Sequence, residues 1–166
     1  AKNKYAAQQL ERQRANHTLS RVYLALAEGH WTNQSKSGLI NRPIEKVPEC
    51  FNRYQVADTG RPSRTEYEVL SEFTYEETPF SLVRLKLQTG RTHQIRVHMA
   101  SLSHPLLGDS IYGHEGFLGF DRAALHSFEI TCQLPGHQDL AVFSSEMPED
   151  FQKMIVESKK LSSTLI

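Results

Sequence analysis

The chain has no surplus of either charge: nineteen lysines and arginines meet nineteen aspartates and glutamates in 166 residues. A uniformly basic or acidic surface is excluded, so affinity for nucleic acid has to come from local asymmetry. Cysteine is scarce. Cys50 and Cys132 lie far apart and match no metal-ligand spacing, and they read as reduced thiols of a cytosol-like compartment rather than as a disulfide framework. Neither is a strong candidate nucleophile. No apolar run is long enough to span a membrane and no charged-then-apolar leader opens the sequence, which argues against membrane insertion and secretion and for a cytoplasmic location. Internal repeats and low-complexity segments are also absent from the sequence. Residues 1–166 therefore read as one domain with apolar content for one core.

What is present is asymmetry. The segment through Gly29 is net positive and the chain from Asp109 onward is net acidic, while between Glu77 and Asp109 there is no acidic residue at all. Arg84, Lys86, Arg91 and Arg96 fall inside that stretch, with His93, His98 and His104. Before Gly90, the alternation of Val83, Leu85 and Leu87 reads as a strand; after it, Ile95, Met99 and Leu102 recur at helical spacing. Gly90 supplies the freedom for a tight turn, Thr92 is the candidate N-cap, and the free N–H groups at the helix start would attract an anion. On such a helix His93, Arg96 and Ala100 share a face opposite the apolar stripe and project away from the core. The same residues also fit a solvated basic helix face, or a phosphate-binding enzyme that uses the Gly90 to Arg96 turn and would bind free nucleotide.

The run Thr89-Gly90-Arg91-Thr92-His93-Gln94-Ile95-Arg96-Val97-His98, followed by His104-Pro105-Leu106-Leu107-Gly108-Asp109 and Tyr112, resembles the signature of the RluA-type RNA pseudouridine synthases, with Ser103 where that family usually has Gly. Arg21-Val22-Tyr23-Leu24-Ala25 is similar to its K-x-Y-x-A strand, and Gly60-Arg61-Pro62-Ser63-Arg64-Thr65-Glu66-Tyr67 to its G-K-P-[AS]-x-T-x-[YF] segment, each with Arg in place of Lys. The resemblance implies isomerisation of uridine to pseudouridine in ribosomal or transfer RNA, without a metal or an organic cofactor. It implies catalytic roles for Tyr23, whose counterpart stacks on the target uracil, and for Arg96, whose counterpart pairs with a nucleophilic aspartate. RNA contacts are expected from Arg21, Arg91, Thr92, His93 and Gln94. The family draws its aspartate from an R-L-D motif upstream of the K-x-Y strand, and these 166 residues contain no such motif. Asp109 reads as structural, Asp58 matches no nucleophile pattern, and Arg96 is left without an identifiable partner.

Ala1-Lys2-Asn3 looks like the residues that follow the nucleophile segment in family members. The expectation is therefore the C-terminal portion of a catalytic domain, inactive alone, with an exposed sheet edge that favours dimerisation or swapping. The alternative is a noncatalytic RNA-binding module on the same fold. His93 and His98, five apart and unaccompanied by Cys, Asp or Glu at ligand spacing, do not make a metal site.

The remaining pattern predicts an α+β fold: a largely antiparallel mixed sheet, short helices outside it, and a basic cleft across its face. A surface helix is expected over residues 2–16, and a strand over 19–28 with Val22, Leu24 and Leu26 toward the core and Arg21, Tyr23 and Ala25 away from it. Residues 29–60 read as loop with one or two edge strands. A hairpin follows, Thr65, Tyr67, Val69 and Phe73 sharing its apolar face and Glu66, Glu68 and Glu72 its solvated one. Phe117 and Phe120 cover the core, residues 122–134 and 140–144 are strands, and Pro148 opens a closing helix that ends at Lys159 and Lys160 and frays after Leu161.

Overall fold

The computed structural model describes residues 3–16 and 18–164, with side chains through residue 160. Lys2, the first residue of the expected N-terminal helix, lies outside the described residues. Helix α1 (Lys4–Ala15) is capped by Asn3, whose side chain accepts from the Ala6 N–H at 2.8 Å, and carries Arg12 and Arg14 in its last turn, where cations complement the helix dipole. None of its described residues is buried. It is fastened through Gln13, which donates to the Gln133 carbonyl and accepts from the Gln133 N–H, both at 2.7 Å.

The chain continues as β1 (Ser20–Glu28), β2 (Ser37–Asn41), β3 (Ile44–Lys46), β4 (Tyr54–Val56), β5 (Arg64–Tyr75), β6 (Thr78–Leu87), α2 (Gln94–Ser101), β7 (Leu125–Gln133), β8 (Leu140–Ser144) and α3 (Glu149–Thr164). β3 and β4 form a separate ribbon; the other six strands make one sheet in the order β2-β5-β6-β1-β7-β8, antiparallel at every junction. This is the α+β class with an antiparallel sheet that the sequence pattern predicts.

The single core of that reading becomes two. On one face Leu24, Leu26, Phe80, Leu82 and Phe120 pack with Phe151 and Met154 of α3; on the other Ala25, Ala27, Val83 and Leu85 pack with Ile95 and Met99 of α2 and with Trp31. The Leu-Ala-Leu-Ala run of β1 explains this, because both of its alternating sets are apolar and the alanines let α2 approach the sheet closely. Tyr23 therefore packs against a second core rather than pointing away from the only one.

A bulge in β5 between Val69 and Ser71 corrects the hairpin face as well. Val69 pairs with Val83 but Ser71 pairs with Leu82, so Phe73 emerges on the α3 face while Tyr67 and Val69 stay on the α2 face. Glu72 is not solvated surface: its carboxylate accepts the Trp31 backbone N–H at 2.6 Å and pairs with Lys36. That fixes the turn after β1, where the Trp31 ring stacks on His104 and Tyr67 at 4.0 and 5.0 Å between centroids. At the other end, α3 runs four residues past Lys160, through Thr164, so the two lysines do not end it. The sheet's outer strands are β2 and β8, and β8 exposes Leu140, Val142 and Phe143 by 64%, 60% and 49%.

Candidate active site

β6 delivers the chain into the Gly90 turn, and there the absence of a side chain has a specific use. A Cβ on Gly90 would lie 3.0 Å from both terminal nitrogens of Arg21, whose guanidinium rests on the turn and donates to the Thr89 carbonyl at 3.2 Å. The buried Arg21 Nε has no acceptor among the described residues. Arg91 donates through Nε and Nη2 to the Pro62 carbonyl, each at 3.3 Å.

Thr92 is exposed and does not cap α2. The N-cap is His93, in the left-handed region at φ 55° with no side-chain capping bond. Gln94, the first residue of the helix, is 2% exposed, and its side chain ties the turn together rather than capping the helix. Its Oε1 accepts from the Arg91 N–H and the Thr89 hydroxyl at 3.0 and 2.9 Å, and its Nε2 donates to the Arg64 carbonyl and to Thr65 Oγ1 at 3.0 Å each. Turned inward and fully bonded, Gln94 belongs to the frame of the turn and not to an RNA-facing surface. The Arg91 N–H of the turn is thus spent on Gln94, and the Gln94 N–H on the Arg91 carbonyl at 3.2 Å.

The Gln94 bonds continue into the interior. Thr65 Oγ1 meets His98 Nδ1 at 2.8 Å, and His98 Nε2 meets the Arg42 carbonyl at 2.9 Å. A carbonyl only accepts, so Nε2 carries the proton and Nδ1 accepts from Thr65. Burial pushes the fully enclosed His98 below its ordinary value, against the raising effect of its bond to the Arg42 carbonyl.

Arg96 is the centre of a second network. It does not project into solvent: its side chain is 18% exposed, and Nε and Nη2 donate to the two oxygens of Asp109 at 2.7 and 2.6 Å. Asp109, wholly buried, also accepts the N–H groups of Ile111 and Tyr112 at 3.0 Å. Burial alone would raise its carboxyl, but the Arg96 bonds and the two backbone donors outweigh it and hold the group below its ordinary range. Arg96 Nη1 meets His93 Nε2 at 3.2 Å, His93 Nδ1 meets the Tyr112 hydroxyl at 3.0 Å, and that hydroxyl accepts the Tyr54 N–H at 2.9 Å. The Tyr112 ring lies 5.1 Å beneath the guanidinium carbon.

Arg96 thus has a partner that sequence reasoning missed. A signal existed: Asp109 is the lone acid between Glu77 and Glu115, and an arginine taken out of water needs a counterion.

Tyr23 lies on the sheet face that α2 covers, packed beside the cluster of Ile95 and Met99, and its hydroxyl has no partner among the described residues. Basic residues collect around the Gly90 turn. A groove of about 540 Å³ is lined by Arg14, Lys46, Arg61 and Arg91 together with Glu45, Tyr54 and Thr92, and one of about 400 Å³ by Arg14, Arg21, Arg64 and Lys86 with Glu66. The structure therefore gathers Arg21, Arg91 and Thr92 at one rim, places the half-buried His93 and Arg96 in the network around buried Asp109, and removes Gln94 from both. Among the described residues no group of three or more His, Cys, Asp or Glu could hold a metal, and no helix is long and apolar enough to cross a membrane.

The histidines set a pH dependence. His93 is lowered by burial first and by Arg96 second, against the pull of Asp109, and His98 is lowered by burial. Both therefore bind protons more weakly folded than unfolded, so the stability tied to their neutral forms is fully present above 6.5, their ordinary value, and is lost as pH falls from there through the folded values. Urea midpoints measured from pH 8 to pH 5 should fall toward acid, and replacing His98 by a neutral residue should flatten part of that fall.

The profile of a family described as RNA pseudouridylate synthase matches residues 1–101. An uncharacterized RNA pseudouridine synthase of Bacillus subtilis is 40% identical over 154 residues, covering 93% of this chain and 49% of its own. Ribosomal large subunit pseudouridine synthase D of Nitrosomonas europaea is 34% identical over 160 residues, covering 92% and 44%. Among solved structures, human RNA pseudouridylate synthase domain containing 1 superposes with a TM-score of 0.72 at 30% identity, over 88% of this chain and 62% of that one. Human RNA pseudouridylate synthase domain containing 4, at 19% identity and a TM-score of 0.70 over 95% and 69%, shares the fold. The chain spans about half the length of the curated relatives it matches.

Proposed function

The chain belongs to the RNA pseudouridylate synthase family, and from that premise we propose that it is the C-terminal portion of a catalytic domain that isomerises uridine to pseudouridine in ribosomal or transfer RNA in the cytoplasm. The observation that carries the reading is Arg96: Asp109 holds the guanidinium side-on through Nε and Nη2, while one N–H on each terminal nitrogen remains for a second carboxylate. In the reaction the bond between N1 of uracil and the ribose breaks, the base turns, a bond forms between C5 and the ribose, the C5 proton leaves to solvent, and N1 takes up a proton from solvent. Tyr23 holds the base by its aromatic face and its hydroxyl relays the C5 proton to solvent, while Arg96 keeps the nucleophilic carboxylate ionised and aimed. The rim of Arg21, Arg91 and Thr92 contacts the RNA backbone.

Because these 166 residues hold no R-L-D motif, the chain alone should not turn over, and it should gain activity when a segment bearing that motif is supplied. The test is tritium release from RNA carrying tritium at C5 of uridine. Release from the completed protein but not from the chain alone supports the reading, and Tyr23→Phe should then slow release by about a hundredfold or more. RNA binding without release from the completed protein would favour the noncatalytic module instead. We also propose that the isolated chain associates through the apolar outer edge at Leu140, Val142 and Phe143. Light scattering should show mass rising with concentration, and Val142→Lys should restore the monomer.

A further inference from the structure

We propose that His93 is a positioning residue for Arg96, holding the plane of the guanidinium from the side opposite Asp109. The inference rests on the reading of Arg96 above and goes beyond it, since it assigns the second support of that side chain. A guanidinium has no lone pair to give, so the contact between Arg96 Nη1 and His93 Nε2 at 3.2 Å requires Nε2 to accept. The proton of the neutral ring then sits on Nδ1 and is donated to the Tyr112 hydroxyl at 3.0 Å. That hydroxyl already accepts the Tyr54 N–H at 2.9 Å, so both of its lone pairs are used and its orientation is fixed.

The ring is also held by shape. Tyr54 and Tyr112 each meet it edge to face, both with centroids 5.7 Å away. The backbone at His93 stands at φ 55°, a conformation costly for most side chains, and it turns the imidazole back over the first turn of α2 toward Arg96. Asp109 fixes Nε and Nη2, His93 fixes Nη1, and Tyr112 lies beneath the carbon. What the guanidinium has left to offer is one edge in one orientation, which is what a carboxylate needs for in-line engagement.

The charged and titratable groups facing His93 are Arg96 from α2, Asp109 and Tyr112 from the segment after it, and Tyr54 from β4; Arg53 acts on Tyr112 from the ribbon. Protonation at Nε2 removes the acceptor and sets a second cation against Arg96. Activity should therefore fall on the acid side as His93 titrates, without a matching loss of RNA affinity.

Two measurements decide it. On the unaltered chain, nitrogen NMR of the imidazole at neutral pH should show the Nδ1–H tautomer; the Nε2–H tautomer or a protonated ring would overturn the assignment. In the completed protein, His93→Phe keeps the ring contacts and loses both nitrogens, while His93→Asn keeps tolerance for positive φ and cannot reach Arg96. Both should lower kcat on the order of tenfold to a hundredfold, leave KM for RNA within about twofold, and abolish the acid-side fall. Wild-type kcat, or an unchanged acid limb in a folded variant, would overturn it. If the unaltered completed protein forms no pseudouridine, the functional reading fails, while the tautomer still decides whether His93 supports Arg96.

Discussion

Asp109→Ala should cost about 3–5 kcal/mol of folding stability, a loss that equilibrium urea unfolding would read as a lowered midpoint at unchanged slope. The carboxylate is wholly buried and accepts four hydrogen bonds, two from Arg96 and two from the Ile111 and Tyr112 backbone. Removing it strands a guanidinium that is mostly out of water and orphans two N–H groups at once. The double replacement Arg96→Met with Asp109→Leu should be less damaging than Asp109→Ala alone, because it removes both charges and leaves apolar volume behind.

The pH behaviour separates this pair from the histidines. Asp109 is held below its ordinary 3.8, so its contribution is present above that value and is lost as pH falls through the lower folded value. In Asp109→Asn the strongly acid part of the stability curve should flatten, while the decline that starts near 6.5 stays.

Gly108→Ala should be nearly as damaging, at about 2–5 kcal/mol from left-handed strain and overpacking together. Gly108 stands at φ 67°, and a Cβ there would sit 2.3 Å from the Phe120 carbonyl oxygen and 2.5 Å from that of Arg122. Both are backbone atoms that cannot swing aside. The neighbouring hydrogen bond from the Ala124 N–H to the Leu107 carbonyl, at 2.8 Å, ties the same two segments together, so relief by movement would break it. Since Gly108 immediately precedes Asp109, the variant should also loosen Arg96, visible as lost near-ultraviolet dichroism and lost activity in the completed protein. A Gly108→Ala protein with a wild-type urea midpoint would show that this contact does not exist in solution.

The elements legible in the sequence were those whose signal is local. Period-two alternation located β5, β6 and β7 to within a few residues, and Pro148 with Glu149 and Asp150 marked the start of α3. The bulge at Leu70 was illegible because a single extra residue leaves each half of the strand looking regular while reversing which face Phe73 takes. The second core was missed because Ala25 and Ala27 are too small to register as an apolar stripe, although α2 packs directly on them. At the site, Arg96 and Tyr23 stood out through family resemblance, but the partner of Arg96 lies thirteen residues onward across a turn and required three-dimensional closure. Gln94 illustrates the converse. The family resemblance put it among the expected RNA contacts, yet the turn needs that amide inside, and only the bonds to Thr89, Arg91, Arg64 and Thr65 say so.

The joint between Gln13 and Gln133 makes α1 a reversible latch. The side-chain amide of Gln13 offers Gln133 a donor and an acceptor just as a neighbouring peptide unit would, so at the last residue of β7 a helix side chain takes the place of the next rung of the ladder. With no described residue of α1 buried, undoing those two bonds frees the helix while both cores stay intact. Amide protons of α1 should then exchange with solvent through openings far less costly than global unfolding, those of β1 only with the whole domain, and a protease should cut between them before the sheet gives way.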